Sequence, residues 1–410
     1  MAIRQKKILI SGAGVAGPAL GWWLHHFGFK PSFVEISPQF RAGGYMVDFW
    51  GKGFDLVERM GLLPEVERLG YHVNEVRFLN SDNVRIGGFS TEPFWRATNG
   101  RFISLPRSDL ARIIWRSLPG SIRTRFDDQV VGIEARGDGV RVRFANSGTE
   151  TFDFVIGAGG LHSKVRALMF GPEDQFETFL GYAFAAFTVA GYEPRTEDVY
   201  MTYGVPGRQA SRFSMRDDRT MFLFIWRQES SSLPASDEGK RAMLRKRFGG
   251  MGWECRAILE ALDRARDLYV DTVSQMHLPR WSHGRLALVG DAAWAPSFLA
   301  GEGCGLGIIG AYVLAGELAR SDGDLAAFTT YEARLRKFIE SKQKMASRFG
   351  GAFVPKTRFG LAIRNVVASL LDVPGVDRLA LSGLKDDIEL PDYDAEVAPP
   401  LVHSKHAHVA

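Results

Sequence analysis

The chain has 410 residues, of which 45% are hydrophobic and 24% charged, as in an ordinary globular protein of two or three domains. Its net charge of +4 is small and is not gathered into one basic run, which argues against nucleic acid as the main partner. The only two cysteines, Cys255 and Cys304, are too few for a disulfide framework and favour a reducing compartment.

The N-terminus passes from Met1 directly into a predicted strand and leaves no room for the apolar core of a signal peptide. The longest apolar helix candidate, residues 308–318, is interrupted by Glu317 and is shorter than the ~20 residues needed to span a bilayer. We therefore expect a cytoplasmic protein without a transmembrane segment.

Residues 7–17 read as a buried parallel strand, a glycine turn and the start of a helix. Gly12 permits the tight turn, Gly14 lets a pyrophosphate approach the backbone, and Gly17 allows close packing of helix on strand. Glu35 ends the next apolar run, where a ribose-binding acid is expected. The stretch predicts a dinucleotide site, and the alternative is that the glycines only shape a turn.

Two arginines follow at positions where they can reach such a ligand. Arg41 lies in a glycine-rich loop, and Arg107 precedes a predicted helix capped by Ser108 or Asp109. From composition alone, either arginine can equally be a solvated surface residue.

Further along, residues 152–160 form a second apolar strand that ends in glycines, and residues 182–227 predict an antiparallel sheet rich in aromatic residues. A third glycine cluster follows the strand at 284–290. Asp291 stands there as a hydroxyl-binding acid does at the carboxyl end of a parallel strand. Pro296 and the glycines at 301, 303 and 305 then lead into an apolar helix of about 306–318.

The three glycine clusters, with Glu35 and Asp291, resemble the class A flavoprotein monooxygenases over residues 6–345. This group includes para-hydroxybenzoate hydroxylase and the tetracycline-inactivating monooxygenases. The resemblance implies an α/β fold, in which a Rossmann-like FAD-binding domain carries an inserted, mostly antiparallel substrate domain and a C-terminal helix. The expected boundaries are 1–75, 100–172 and 270–345 for the FAD domain, 76–99 and 173–269 for the substrate domain, 346–390 for the helical segment and 391–410 for a disordered tail.

The same resemblance implies a set of FAD-contacting residues from all three clusters. They are Gly12, Gly14, Ala16, Gly17, Glu35, Arg41, Arg107, Gly160, Asp291, Pro296, Gly301, Gly303, Cys304 and Gly305. Three positions depart from the family pattern: Gly159 replaces a common aspartate, Trp294 a common histidine and Gly305 a common asparagine. The first departure bears on nicotinamide binding, because its segment is associated with both FAD and NAD(P)H.

The implied reaction uses NADPH or NADH to reduce the flavin and O₂ to form a C4a-hydroperoxide. That species transfers a hydroxyl group to an aromatic or polycyclic small molecule. The terminus of the helix near Gly303 can stabilise negative charge on reduced flavin. We assign no catalytic base, predict no metal site, and expect a monomer or homodimer.

Substrate contacts are predicted from aromatic and methionine side chains. Phe184, Phe213, Met215, Phe222, Phe224 and Trp226 alternate on the predicted sheet, so that one face can cover the flavin, and Met46, Trp50, Trp294 and Phe298 lie beside cofactor motifs. The alternative for each is a place in the hydrophobic core. His162 and His283 are interpreted as surface or hydrogen-bonded structural residues.

Other functions remain open from sequence. One is an FAD-dependent reductase or dehydrogenase without oxygen insertion, which differs by showing no substrate-stimulated oxygen uptake. Another is a non-catalytic flavin-binding protein, in which NAD(P)H does not reduce the bound FAD. A nicotinamide-only dehydrogenase fits less well, because it does not explain the cluster at Gly290 and Asp291. The amphipathic residues 353–371 predict a helix across the two domains, with binding to a membrane surface as the alternative.

Overall fold

The computed structural model describes residues 5–40, 43–373, 375–376, 381 and 386–397. Within them the strands are β1 (Lys7–Ser11), β2 (Lys30–Val34), β3 (Met46–Trp50), β4 (Glu75–Leu79), β5 (Arg85–Ser90), β6 (Phe102–Pro106), β7 (Thr124–Arg125), β8 (Val130–Ala135), β9 (Val140–Phe144), β10 (Thr149–Phe152), β11 (Phe154–Gly157), β12 (Glu177–Ala190), β13 (Val199–Val205), β14 (Arg208–Met215), β15 (Arg219–Arg227), β16 (Tyr269–Met276), β17 (Ser282–His283) and β18 (Leu286–Leu288).

The α-helices of the same residues are α1 (Ala16–His26), α2 (Gly51–Arg59), α3 (Leu63–Leu69), α4 (Glu92–Ala97), α5 (Arg107–Arg116), α6 (Lys164–Phe170), α7 (Asp237–Phe248), α8 (Cys255–Ala261), α9 (Asp291–Trp294), α10 (Gly303–Arg320), α11 (Ala326–Phe353), α12 (Arg358–Ser369) and α13 (Tyr393–Val397). No helix in these ranges is long and apolar enough to cross a membrane.

A six-stranded sheet of order β17-β18-β11-β1-β2-β7 forms the centre of the predicted FAD domain. Strand β1 runs parallel to β2 and β11, and β11 runs parallel to β18. The side chains of Ile8, Leu9 and Ile10 are fully buried, because β1 lies inside the sheet between β11 and β2 and α1 packs on it. The carboxyl ends of four neighbouring strands therefore meet at one edge, which is where a doubly wound sheet binds its ligand.

A seven-stranded sheet of order β16-β12-β15-β14-β13-β4-β5 forms the second layer. Its pairs are antiparallel except for β13 with β4. The mixed α/β architecture with a mostly antiparallel sheet is the predicted fold class. The sheet extends past the expected boundary at residue 269, because β16 pairs with β12 as far as Met276.

The seven-stranded sheet has two different faces. Its outer face packs against α7 and α8, where Phe222 and Phe224 join the buried core around Phe248. Its inner face lies towards the ribbon formed by β3 and β6 and towards residues 298–300. Only the inner face is therefore placed to meet a ligand held by the six-stranded sheet.

The C-terminal part of the chain crosses between these layers. Helix α12 packs on β5 and β13, and the Arg364 guanidinium donates to Gln209 Oε1 at 2.9 Å on the inner face. Helix α13 returns to α10, and Tyr393 is fully buried there. This corrects the expectation of disorder for residues 391–397. Residues 398–410, with the tail histidines 403, 406 and 408, lie outside the described residues.

Candidate FAD and substrate site

The turn after β1 depends on glycine at two positions. Gly12 has φ +116°, and a Cβ there would lie 2.5 Å from the carbonyl oxygen of Ala158. A Cβ on Gly17 would lie 2.1 Å from the carbonyl oxygen of Gly12. Because neither position has room for a side chain, strand and helix approach as closely as a phosphate-binding turn requires.

Gly14 and Ala16 have different surroundings from these two glycines. A Cβ on Gly14 would have one close neighbour, Arg107 Nη2 at 3.8 Å, so this side of the turn is open towards the arginine. Ala16 begins α1 and packs against Gly290 and Gly307, where an added Cβ would lie 2.9 and 3.3 Å from the Ala16 methyl. The N-terminus of α1 is thus brought against α10 with space left beside Arg107.

Glu35 follows β2 at the edge where the strand ends meet. Its carboxylate accepts hydrogen bonds from the Ala13 amide at 2.8 Å and from the Ser37 amide at 3.0 Å. Two carboxylate oxygens offer about four acceptor positions, so this group can also accept from ribose hydroxyls. The acid therefore holds the glycine turn and stands where the sequence predicts ribose binding.

Arg107 and Asp291, both partly exposed, and the buried Cys304 form a group at the same edge. Arg107 is the first residue of α5, and its amide donates to the Tyr45 carbonyl at 3.0 Å. Burial disfavours the charged guanidinium, but the surrounding acidic groups raise the pKa of Arg107 above its ordinary value. The predicted side-chain cap is wrong, because Pro106 occupies the N-cap position and makes no side-chain hydrogen bond.

Burial also governs the two partners of Arg107. It raises the pKa of the Asp291 carboxyl, and the arginine opposes this rise. It raises the pKa of the Cys304 thiol to about 11, so the thiol is neutral at physiological pH. The group combines one positive charge with hydroxyl acceptors, which suits the ribityl and phosphate portions of a flavin dinucleotide.

The N-terminus of α10 faces Asp291. A Cβ on Gly303 would lie 3.7 Å from Asp291 Oδ1, and the Glu302 side chain does not cap the helix. The first amides of a helix have no partner within the helix and carry its positive dipole end. This terminus is therefore suited to a bound negative charge.

The loop before α10 has an unusual backbone. Ser297 has φ +102° although it is not glycine, and Gly301 has φ +68°. Gln275 holds this loop from behind by donating to the Pro296 carbonyl at 2.9 Å, and Gln343 donates to the Trp294 carbonyl at 3.2 Å. Backbone strain of this kind persists only where the surrounding structure enforces it.

The middle strand, β11, supplies the last predicted FAD residue. Gly160 has φ +73°, and a Cβ there would meet no atom within 4 Å. Ser163 caps α6, and the buried Arg166 guanidinium donates to the Ala292 carbonyl at 3.3 Å. The Gly160 loop is thus tied to the helix that begins with Asp291.

The geometry fits the cofactor that the sequence implies. Gly14, Gly301 and Gly305 leave open positions along one cradle, in which the nearest atoms to an added Cβ are 3.8 to 4.0 Å away. Arg107 and Asp291 lie between the two glycine turns. The predicted FAD residues come together at this edge, except Arg41, which lies outside the described residues.

The predicted substrate residues divide into four groups. Phe184 stacks on Phe298 with ring centres 4.0 Å apart, and Tyr45 packs edge-on against both rings. Phe213 and Met215 lie on the same inner face, in a second cluster that includes Met46. These five predicted residues therefore lie on the inner face of the sheet or pack against it.

Phe222, Phe224 and Trp226 lie on the outer face, which corrects their prediction as substrate contacts and agrees with the alternative of a place in the hydrophobic core. The ring centres of Phe224 and of Phe248 in α7 are 4.2 Å apart. The reason is the pairing of the strands: Phe224 lies opposite Ala185 and Ala210, whereas Phe184 lies opposite Ile225. Neighbouring residues of a strand point to opposite faces.

The two remaining predictions concern tryptophans. Trp294 is 1% exposed and packs on Trp281 with ring centres 4.3 Å apart, so it belongs to the core of the FAD domain. Trp50 stacks on Phe102 beside the first turn of α10. Trp294 therefore does not face the sheet, which corrects its assignment as a substrate residue.

Sequence reasoning missed two tyrosines and an acid. The Tyr269 hydroxyl donates to Asp271 at 2.6 Å, and the Tyr269 ring lies 5.7 Å from Phe184. His162 bonds to Asp271 at 3.2 Å and to Glu173 at 2.8 Å. The polar residues of β16 were the available signal for Asp271, and Tyr45 lay directly after the glycine-rich loop.

Comparison with known proteins agrees with a flavin site. The model of the FAD binding domain family matches residues 5–342. An uncharacterised protein of Mycobacterium tuberculosis is 35% identical over 372 residues, 88% of this chain and 99% of its own length. A flavin-dependent monooxygenase of Legionella longbeachae is 30% identical over 393 residues, with coverage of 95% and 98%.

Among solved structures, that of the tetracycline destructase Tet(55) superposes with a TM-score of 0.80 and 29% identity. The match covers 96% of this chain and all of the other. The chain therefore belongs to the FAD-dependent class A flavoprotein monooxygenases, as the sequence resemblance implies.

Proposed function

We propose that this FAD-dependent monooxygenase hydroxylates an aromatic or polycyclic small molecule held between the flavin and the inner face of the seven-stranded sheet. The observation that carries the proposal is the aromatic cluster of Tyr45, Phe184, Tyr269 and Phe298 beside the FAD cradle. Aromatic faces of this kind bind planar rings through offset or edge-on contacts. Similarity to a tetracycline destructase supports the polycyclic class.

The inner face offers more than one place for a ring. Tyr200 and Phe213 pack with ring centres 4.8 Å apart in the second cluster, which shares the β3 residue Met46. Between such apolar groups, Asp48 accepts a hydrogen bond from the Ser104 hydroxyl, and burial raises the pKa of this carboxyl. Two apolar surfaces with a polar group between them favour a substrate of several rings that carries hydroxyl or amino groups.

The chain's own residues bind, orient and exclude water. Arg107 and Asp291 would hold the ribityl and phosphate groups of FAD, and the amides at Gly303–Gly305 would meet the negative charge of its reduced form. Burial raises the pKa of both Tyr45 and Tyr269, so each keeps its hydroxyl proton; Tyr269 donates its proton to Asp271, and Tyr45 can donate to a ligand. FAD, when bound, supplies the oxygen-activating chemistry.

We also propose that the reductant is NADPH or NADH, bound near the Gly160 loop. The open position beside Gly160 and the exposed cationic His162 support this placement, since hydrogen bonds to Asp271 and Glu173 raise the pKa of His162 to about 10. A cytoplasmic location is likewise proposed on the basis of two free, buried cysteines.

The test is an anaerobic absorbance titration of the purified protein with NADPH and then NADH, followed by air in the presence of phenols and polycyclic compounds. We expect the flavin bands to bleach and oxygen uptake to rise with a ligand that becomes hydroxylated. If the flavin is reduced but no phenol or polycyclic compound is hydroxylated, the substrate proposal is overturned. Bands that neither nicotinamide bleaches would overturn the proposed reductant.

A further inference from the structure

Three charged side chains are buried together at the N-terminus of α10. The Lys342 ammonium lies 2.8 Å from Glu302 Oε2 and 2.9 Å from Asp386 Oδ1. The side chains of Lys342, Glu302 and Asp386 are 6%, 9% and 8% exposed, respectively. We call Glu302, Lys342 and Asp386 the lysine clasp. Ion pairs of this depth carry a large desolvation cost and add little net stability, so their presence calls for another explanation.

The clasp carries two carboxylates on one ammonium. Burial opposes the charge of Lys342, but the two acids raise the pKa of the ammonium above its ordinary value. Burial raises the pKa of Glu302, and Lys342 opposes that rise. Because the lysine remains charged, it offsets the negative potential of a carboxylate one residue away from the helix terminus.

Glu302 lies where its charge, and its compensation by Lys342, can act on a ligand bound at the N-terminus of α10. Glu302 immediately precedes Gly303, the first residue of α10, where the helix faces Asp291 and the FAD cradle. A helix N-terminus favours negative charge by a few tenths to about 1 kcal/mol, and a carboxylate beside it acts in the opposite direction for a bound anion. Lys342 therefore determines how positive this terminus is.

The third member fixes the geometry. Asp386 Oδ2 accepts from the Lys52 amide at 2.8 Å, at the N-terminus of α2. Gly51 has φ +70°, and a Cβ there would lie 2.4 Å from the same oxygen. Lys342 belongs to α11, and Asp386 belongs to the segment that follows α12. Their ion pair thus ties these two parts of the chain together beside Glu302 at the N-terminus of α10.

We infer that Lys342 is a positioning residue that raises the reduction potential of the bound FAD by neutralising Glu302 at the N-terminus of α10. Reduced FAD bears negative charge around N1 and the C2 oxygen, and oxidised FAD does not. Loss of the ammonium therefore weakens the binding of the reduced form more than that of the oxidised form. The inference rests on FAD binding and is independent of the proposed substrate.

The experiment measures the two-electron potential of the bound FAD by dye equilibration in Lys342→Met, Glu302→Gln and the double variant. Lys342→Met is expected to weaken reduced relative to oxidised FAD about tenfold, which corresponds to a fall of about 30 mV. Glu302→Gln is expected to raise the potential, and the double variant to return towards the wild type. Lys344→Met is the matched control, because Lys344 is an exposed lysine of the same helix.

A merely structural clasp gives a different result. It would loosen FAD equally in both redox states, so the dissociation constant would rise while the potential stayed at the wild-type value. That result, or a fall in potential in Glu302→Gln, would overturn the inference. If Lys342→Met does not fold with FAD, Glu302→Gln still decides the question, because its Lys342–Asp386 pair is intact.

Discussion

The glycine turns around FAD and the aromatic strands of the seven-stranded sheet differ in what fixes each residue's role. A Cβ on Gly17 would lie 2.1 Å from the carbonyl oxygen of Gly12, so the need for glycine at position 17 is set by a residue only five positions earlier. Phe184 and Phe224 have similar surroundings in sequence, yet they lie on opposite faces covered by different layers. Local geometry specifies the first region, and distant packing specifies the second.

The largest expected effect tests the glycine region. Gly17→Ala should lower the free energy of unfolding of the apoprotein by about 4 kcal/mol, because its methyl group overlaps backbone atoms that cannot move aside. Gly14→Val is the contrast: its open position should preserve apoprotein stability while the side chain blocks FAD. Denaturant unfolding and FAD titration measure the two properties. Equal losses of stability in both variants would remove the distinction between packing and ligand approach.

The next prediction separates the two faces of the sheet. Phe224→Ala should cost about 3 kcal/mol of unfolding free energy, since it opens a cavity against Phe248, and should leave KM for the substrate within about twofold. Phe184→Ala removes the ring stacked on Phe298 and should raise KM by about tenfold. Steady-state kinetics and thermal unfolding provide both quantities. An unchanged KM in Phe184→Ala would contradict the pocket on the inner face.

Asp291 tests a single polar contact within the FAD cradle. Asp291→Ala should weaken FAD binding by about 2 kcal/mol, roughly 30-fold, because a charged acceptor of hydroxyl hydrogen bonds is lost. Asp291→Asn, which keeps one carbonyl acceptor, should lose less. Fluorescence titration of the apoprotein with FAD gives both constants. Full FAD affinity in the alanine variant would show that this residue does not contact the cofactor.

The smallest effect concerns pH. The two carboxylate contacts raise the pKa of His162 from 6.5 to about 10, so the folded state holds this proton more tightly than the unfolded state. The resulting stabilisation is complete below pH 6.5 and is lost as the pH rises towards 10. The melting temperature of wild type should therefore exceed that of His162→Gln at pH 6 and approach it at pH 10. A difference that is constant across this range would rule out the ion pairs as its source.

The same contrast explains what sequence could reveal. The Gly12–Gly17 turn, Asp291 after β18 and the apolar helix α10 are encoded within short stretches, and the structure contains each of them. The pattern Gly-x-Gly-x-x-Gly also occurs at residues 305–310, but there it lies inside α10 and follows no strand, so it does not form a second dinucleotide turn.

The remaining features depend on partners far along the chain. Helical spacing from Leu335, Phe338 and Ile339 places Lys342, unlike Lys344, on the apolar face of α11. Its acidic partner Asp386 lies 44 positions further along, and nothing in the sequence pairs the two. Trp294 follows an FAD motif but is drawn into the core by Trp281 and Tyr331. Helix α13 was missed because its single large apolar anchor, Tyr393, gives a weak amphipathic signal.

Tyr393 also affects how the protein is made. Its ring fills the space beside Gly316, where a Cβ would lie 2.1 Å from the ring, and its hydroxyl donates to Glu317 in the last turn of α10. The core that supports the glycine turn of residues 12–17 is therefore closed by a residue that follows α12. On the ribosome, the FAD domain therefore cannot complete its packing until residue 393 has emerged.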